Sequence, residues 1–413
     1  MTLVANILVA ASNWLILVII AKKFDGQSLG QFVLALSICS PAFLFASFKV
    51  RTLIIVDTDW IFKLSEYATA RLMANLVVTL FIVATVLYLP NDRFIYVLVL
   101  VLLYKWCDAW SEFCQSYLRR IHKFEYSSGS LVLRSILTIL SVSLIAFYSQ
   151  SFLLILIVWF AVTAIFASID SIIFAKMVRF TNPSQIDFRS VFSMSSVHRA
   201  FTLYKTYATV AVAMAVSSLF VYIPNYFLNY QIGVEAAGVF AALSYFLVAG
   251  GIIINSLSQA VTPKLTQLFA QRELREFKTL TNKLCIVGIV LGASGFLVSY
   301  FFGAFFLQLF YNNSIALHNT ALNWIMAGAG VRYVYIFIGT SFSSLKLFHI
   351  QTQIYGLGLL SMFLGCWFLI PIYQLKGAAI ALFISTVIEI IFFVSVSNRQ
   401  FYLAFNRDAS KLT

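Results

Sequence analysis

Residues 94 to 120 read FIYVLVLVLLYKWCDAWSEFCQSYLRR, a run that begins apolar and then takes on Lys105, Asp108, Glu112, Gln115 and Arg119. At about 100° per residue these five polar groups fall within an arc of roughly 80° on one helix face. Lys105 lies about 11 residues in, close to the middle of a hydrocarbon layer roughly 30 Å thick at 1.5 Å per residue. A charge facing lipid at that depth is strongly unfavourable. The stripe is therefore expected to face other helices or a water-filled cavity. A structural ion pair between Lys105 and Asp108, at i and i+3, is the plainer alternative, but it leaves Glu112 without a role.

The remainder of the chain has the same character. Of 413 residues, 61% are hydrophobic and 10% charged, and the mean hydropathy is +0.92, which excludes an ordinary soluble domain and implies a polytopic all-α membrane protein. The net charge of +13 follows the bias of cytoplasmic loops toward Lys and Arg and gives no reason to expect a nucleic-acid partner. The five cysteines lie singly in apolar runs and the four histidines are scattered, so neither disulfides nor a metal site is expected. The first apolar run has no Lys or Arg before Lys22 and no clear cleavage site, and reads as a retained signal-anchor helix.

Apolar runs bounded by charged or turn residues predict twelve spans, near 3–21, 30–49, 67–89, 94–117, 128–149, 152–175, 205–227, 237–261, 284–310, 318–341, 353–372 and 377–397. Most loop Arg and Lys, among them Arg51, Arg120, Lys123, Arg179, Arg199, Arg275 and Lys278, fall after even-numbered spans, whereas the opposite connections hold little beyond Lys22, Lys23, Arg93 and Lys376. That asymmetry puts both termini in the cytoplasm. The longest connection contains a helix-breaking Asn182-Pro183-Ser184 at mid-chain. The expected organisation is thus a six-helix lobe over 1–180, a cytoplasmic linker over 181–204, a second six-helix lobe over 205–397 and a cytoplasmic tail over 398–413. Within the linker, 191–204 could lie along the inner membrane surface, and 263–283, rich in both signs of charge, reads as a solvated helical cap. A weak internal repeat supports two halves: Gly30-Gln31-Phe32 opens the second span and Gly238-Val239-Phe240 the eighth.

Several segments carry a resemblance. ASNWLILVIIAKKFDGQSLGQFVLALSI, ASFKVRTLI, SEFCQSYLRR, IPNYFLNYQIGVEAAGVFAALSYFLVAG, NSLSQAVTPKL, LFYNN and LIPIYQLKGAAIAL occur in this order, and over nearly the whole chain the sequence resembles the O-antigen and capsule repeat-unit flippases. These belong to the superfamily of the MATE multidrug exporters and the lipid-linked peptidoglycan precursor flippases. The resemblance implies a MATE-like fold of twelve helices in two lobes around a central cavity. It also implies translocation of a polyprenyl-diphosphate-linked oligosaccharide across the bacterial inner membrane, without catalysis and in contact with membrane lipids, a polysaccharide polymerase and chain-length machinery. The sequence departs from the family in beginning almost directly in its first helix. Cavity residues vary widely in the family, so no sugar identity carries over.

The residues suit that task. Phosphates crossing the bilayer need cations, Arg above all for its bidentate geometry; the candidates are Arg71, Lys105, Arg134 and Arg332, with Arg71 close enough to the interface to snorkel instead. Asp108, Glu112 and Glu389 would balance these charges or bind a coupling Na⁺ or H⁺, while Asp170, near a helix end, reads as structural. Gln115, Tyr204, Tyr207, Asn225, Asn229, Tyr245, Asn255 and Gln259 are candidate sugar contacts, whereas Tyr222 and Tyr226 read as interfacial belt. Pro41 and Pro224 could supply hinges or simply pack. A drug or cation antiporter of the same fold would call for a more acidic cavity. A membrane polymerase or glycosyltransferase would call for a large outer loop or catalytic motif that the sequence does not contain.

Overall fold

The computed structural model describes residues 2–48, 50–56, 61–86, 92–181, 191, 193–345 and 347–407, and every regular element among them is helical. In chain order these are α1 (Thr2–Lys23), α2 (Gly26–Ala46), α3 (Val50–Val56), α4 (Leu64–Val86), α5 (Asp92–Arg120), α6 (Phe124–Tyr148), α7 (Phe152–Thr181), α8 (Met194–Gln231), α9 (Val234–Ala270), α10 (Leu274–Phe310), α11 (Asn313–Ala316), α12 (Asn319–Ser344) and α13 (Phe348–Arg407). Ten helical runs among the described residues are long and apolar enough to cross a membrane. One of them, His349–Ser397, has 49 residues and is broken at Gln374, where φ is 52° and ψ −133°, so it makes two passes. α8, with 38 residues, is long enough for another. Each of the twelve expected spans therefore has a helix, and the chain is a multi-pass membrane protein.

Two connections differ from expectation. Residues 194–204, read as a surface segment, are continuous with the span that follows, because α8 runs unbroken from Met194 to Gln231. The break at Asn182–Ser184 lies outside the described residues. The expected cap over 263–283 is instead the end of α9 and the start of α10, joined by a tight turn. Arg272 takes a left-handed φ of 60° there, and the Glu273 amide donates to the Leu268 carbonyl at 3.0 Å. His122, φ 59°, turns α5 into α6 in the same way, with the Lys123 amide donating to Leu118 at 2.9 Å. Such left-handed caps satisfy the last carbonyls of a helix and reverse the chain within a few residues.

The chain divides into two compact units, Met1–Ser218 and Leu219–Thr413. In the first, α5 is central and packs on α2, α3 and α7. Its C-terminal end meets a core of Tyr67, Phe113, Tyr117, Phe174 and Leu203, which ties the start of α8 to α4, α5 and α7. Phe113 and Tyr117 set their rings edge-on to Phe174 at 5.6 and 5.4 Å, the favoured aromatic geometry. Arg199 of α8 reinforces this corner, pairing with Glu66 at 3.4 Å and donating to the Ile61 carbonyl at 2.8 Å.

In the second unit α12 is central, between α9, α10 and α13. Lipid tails are as apolar as leucine, so helices in a bilayer gain most from close backbone approach at small residues. That is the packing seen. A Cβ on Gly292 of α10 would lie 2.3 Å from the Gly330 Cα of α12, and one on Gly365 would lie 2.9 Å from the Ala381 Cβ. Gly358 faces Glu389 and Gly377 faces Leu369, so the two limbs of α13 pack antiparallel as a hairpin about Gln374.

Candidate functional site

The polar stripe of α5 is met by charged side chains from three other helices of the first unit. Arg134 of α6 donates through Nη1 to Asp108 Oδ1 at 2.9 Å. Among the described residues no ion pair joins Asp108 to Lys105. The pairing at i and i+3 gives way to one between helices because the Arg134 side chain, 9% exposed, has no water to fall back on, whereas a flexible lysine can reach outward. Glu112 bridges two arginines: Oε1 accepts from Arg51 Nη1 of α3 and Oε2 from Arg71 Nη2 of α4, both at 3.2 Å. Arg71 also donates through Nε to the Ala109 carbonyl at 3.2 Å. It is 4% exposed, so it turns into the protein and does not snorkel toward the interface.

Lys105 is half-buried, its ammonium 5.7 Å from the Tyr104 ring centroid, and it forms no ion pair among the described residues. Four bases, Arg51, Arg71, Lys105 and Arg134, thus share two carboxylates. Asp108, Glu112 and Arg51 keep 34%, 40% and 44% side-chain exposure, whereas Arg71 and Arg134 are buried. Charged groups accessible within a span are tolerated where water reaches them and not against hydrocarbon. Charge-assisted hydrogen bonds of this kind are also those by which guanidinium groups hold phosphates.

Other stripe members do different work. Gln115, 3% exposed, is a candidate sugar contact whose amide donates to Ser111 Oγ at 3.1 Å and Asp170 Oδ2 at 2.9 Å. Ser130 donates to Asp170 Oδ1 at 2.6 Å, and Ser111 also donates to this carboxylate. Asp170 is fully buried in the middle of α7, well away from its ends, and it clasps α5, α6 and α7 through three neutral donors. Arg119 is also buried and donates to Ser127 Oγ at 2.9 Å. The Tyr204 hydroxyl donates to the Ala70 carbonyl and its ring lies 4.6 Å from Phe48, with Tyr207 packed on the same core. Sequence reasoning left out Arg51, which it placed in a loop; the segment ASFKVRTLI that carried the resemblance was the signal that pointed to it.

In the second unit, Arg332 of α12 lies over the rings of Phe220 and Tyr335 at 5.1 and 5.5 Å and makes no ion pair among the described residues. Glu389, in the second limb of α13, is 2% exposed. The other candidates are spread along two helices. Asn225 is buried and Asn229 half-buried on α8; on α9 Tyr245 is half-buried, with Asn255 and Gln259 exposed. The three on α9 share an arc of roughly 80°. Among the described residues no three His, Cys, Asp or Glu side chains gather as metal ligands.

No protein-family model matches the chain. A capsular polysaccharide biosynthesis protein, CapF of Staphylococcus aureus, is 27% identical over 405 residues, covering 96% of this chain and 98% of that protein. The lipid II flippase MurJ, in an inward closed conformation, superposes with a TM-score of 0.75 at 13% identity over 97% of this chain and 89% of its own. An inward-facing multidrug-resistance MATE transporter gives 0.74 at 13% identity, covering 95% and 94%. At such identities the structural likeness carries the fold alone: the chain is a multi-pass membrane protein with the fold of the MATE transporters and MurJ, similar over nearly its whole length to a capsular polysaccharide biosynthesis protein.

Proposed function

We propose that the chain moves a lipid-diphosphate-linked oligosaccharide repeat unit from the inner to the outer leaflet of a bacterial cytoplasmic membrane, by alternating access and without chemical change, for capsule or related surface polysaccharide. Both termini lie in the cytoplasm on this reading, as the distribution of loop Arg and Lys favours. Polymerising machinery would receive the unit on the outer side. The observation that carries the proposal is the surplus of two positive charges in the network around Asp108 and Glu112 of α5, where Arg51, Arg71, Lys105 and Arg134 stand against those two carboxylates. A diphosphate supplies the missing negative charge and can displace either carboxylate from its arginine through stronger, bidentate hydrogen bonds.

The test is to delete the gene in its source cell and quantify diphospholipid-linked oligosaccharide in the inner leaflet. Accumulation of one repeat unit, relieved by the wild-type gene and not by Lys105→Glu, is expected. No accumulation, with altered tolerance to cationic drugs instead, would overturn the proposal in favour of an antiporter.

A further inference from the structure

Arg119 stands apart from the other buried arginines of the first unit. It is 7% exposed, as buried as Arg71 and Arg134, yet among the described residues it forms no ion pair. Its hydrogen bond there is the Nε donation to Ser127 Oγ of α6 at 2.9 Å, and Ser127 is itself fully buried. A guanidinium group has several N–H donors to place, and most of these are left without a protein acceptor. The charged side chains near enough to act on Arg119 are Arg51 and Glu112. Glu112 is already shared by Arg51 and Arg71, both at 3.2 Å. Arg51, Arg71 and Arg119 thus converge on one carboxylate, and like charges brought together away from bulk water repel unless an anion joins them.

The depth of Arg119 points to the kind of anion. α5 begins beside Arg93, which donates to Ser28 Oγ at 3.1 Å and lies 5.9 Å from the Phe152 ring centroid. At about 1.5 Å per residue Arg119 lies roughly 39 Å along the helix from Arg93, close to the thickness of roughly 40–45 Å of a bilayer with its headgroups. Arg119 therefore stands at the level of lipid phosphates, whereas Lys105 stands in the hydrocarbon middle. An arginine that merely snorkels to the headgroups keeps its guanidinium group exposed. This one is drawn into the protein, so a phosphate has to come to it. We propose that Arg119, oriented by Ser127 and flanked by Arg51, binds the phosphate of a lipid headgroup, whose oxygens accept from its remaining N–H donors in the bidentate geometry that guanidinium groups favour. Two sources supply this chemistry. One is a resident anionic phospholipid; the other is the diphosphate-linked lipid of the transport reading above, whose phosphates would meet Arg119 about 10 Å before Glu112 along α5. The site rests on that reading only for which of the two lipids fills it.

Native mass spectrometry and thermal unfolding of the purified full-length protein in detergent test this, with phosphatidylglycerol, farnesyl diphosphate and, as a phosphate-free control, diacylglycerol. Retention of at least one phosphate-bearing lipid, with a rise in unfolding temperature, is expected in the wild type, and neither effect with diacylglycerol. Arg119→Gln is expected to weaken that retention about tenfold, the scale of one lost charge-assisted contact. Arg119→Lys should weaken it less, because lysine keeps the charge without the fork. In lipid-free detergent Arg119→Gln breaks no ion pair, so its unfolding temperature should equal or exceed that of the wild type. A lower unfolding temperature there, combined with undiminished lipid retention, would make Arg119 a structural residue and overturn the proposal. Equal retention of both phosphate-bearing lipids by the wild type and both variants would overturn it too. Loss confined to phosphatidylglycerol assigns the site to a resident lipid, loss confined to farnesyl diphosphate assigns it to the transported one, and loss of both assigns it to the phosphate they share. If phosphatidylglycerol retention depends on Arg119 and farnesyl diphosphate binds to no form of the protein, the phosphate site stands and the diphosphate reading fails.

Discussion

The two units handle buried charge in opposite ways. In the first, Arg71 and Arg134 each have a carboxylate within 3.2 Å, and Lys105 alone of the expected cavity cations there lacks one. In the second, Arg332 lies on aromatic faces and the Glu389 carboxyl group over a glycine, and neither forms an ion pair among the described residues. Burying an ion pair is close to neutral when both partners are present and strongly destabilising when one is removed. A cation over rings carries no such obligation. The first unit therefore ties Arg71 and Arg134 into ion pairs, whereas Arg332 of the second rests on rings.

The largest effect is expected from breaking the fixed pairing. Asp108→Asn leaves Arg134 buried beside a neutral amide and should destabilise the protein by about 2–3 kcal/mol, the lower end of the range for a buried pair because Asp108 keeps some solvent access. Thermal unfolding in detergent measures this, and the double variant Asp108→Leu with Arg134→Met should recover most of the loss. Recovery would be absent if the pair were only a bystander. Gly358→Ala comes next, at about 2 kcal/mol, because its methyl group has to displace the Glu389 carboxyl group; Glu389→Ala in the same chain should restore stability but not transport. Arg332→Gln breaks no ion pair and should lower stability by only about 1 kcal/mol, the scale of a desolvated cation–π contact, while reducing export severely. Equal losses of stability in Arg332→Gln and Asp108→Asn would erase the contrast between the units. Arg51→Ala removes an exposed partner of Glu112 and should change stability by less than about 1 kcal/mol, with export reduced in proportion to the lost positive charge.

Much of this was legible in the sequence. Apolar run length set the spans, and the four-residue gap expected at 373–376 coincides with the break at Gln374. The periodicity of α5 put Lys105, Asp108 and Glu112 on one face, where the structure has them. What periodicity could not supply was pairing between helices. Asp108 chose Arg134 over Lys105 because burial ranked the two cations, and burial depends on neighbours that no local pattern names. Gln115 shares the face of Glu112 yet is consumed by Asp170, a residue in the adjacent helix. Helix ends were misjudged for a different reason: hydropathy sees the bilayer, whereas α9 and α10 go on as helices of 37 residues each, past the point at which charge returns.

The hairpin of α13 bears on how the protein is made. Its two limbs are joined by a reversal of a few residues, with Gly377 packed directly on the Leu369 carbonyl. A connection that short leaves no slack for one limb to insert and wait for the other. The pair is thus suited to leave the translocation machinery as a single unit late in synthesis, and the carboxyl group of Glu389 enters the membrane already seated on Gly358, never exposed to lipid alone.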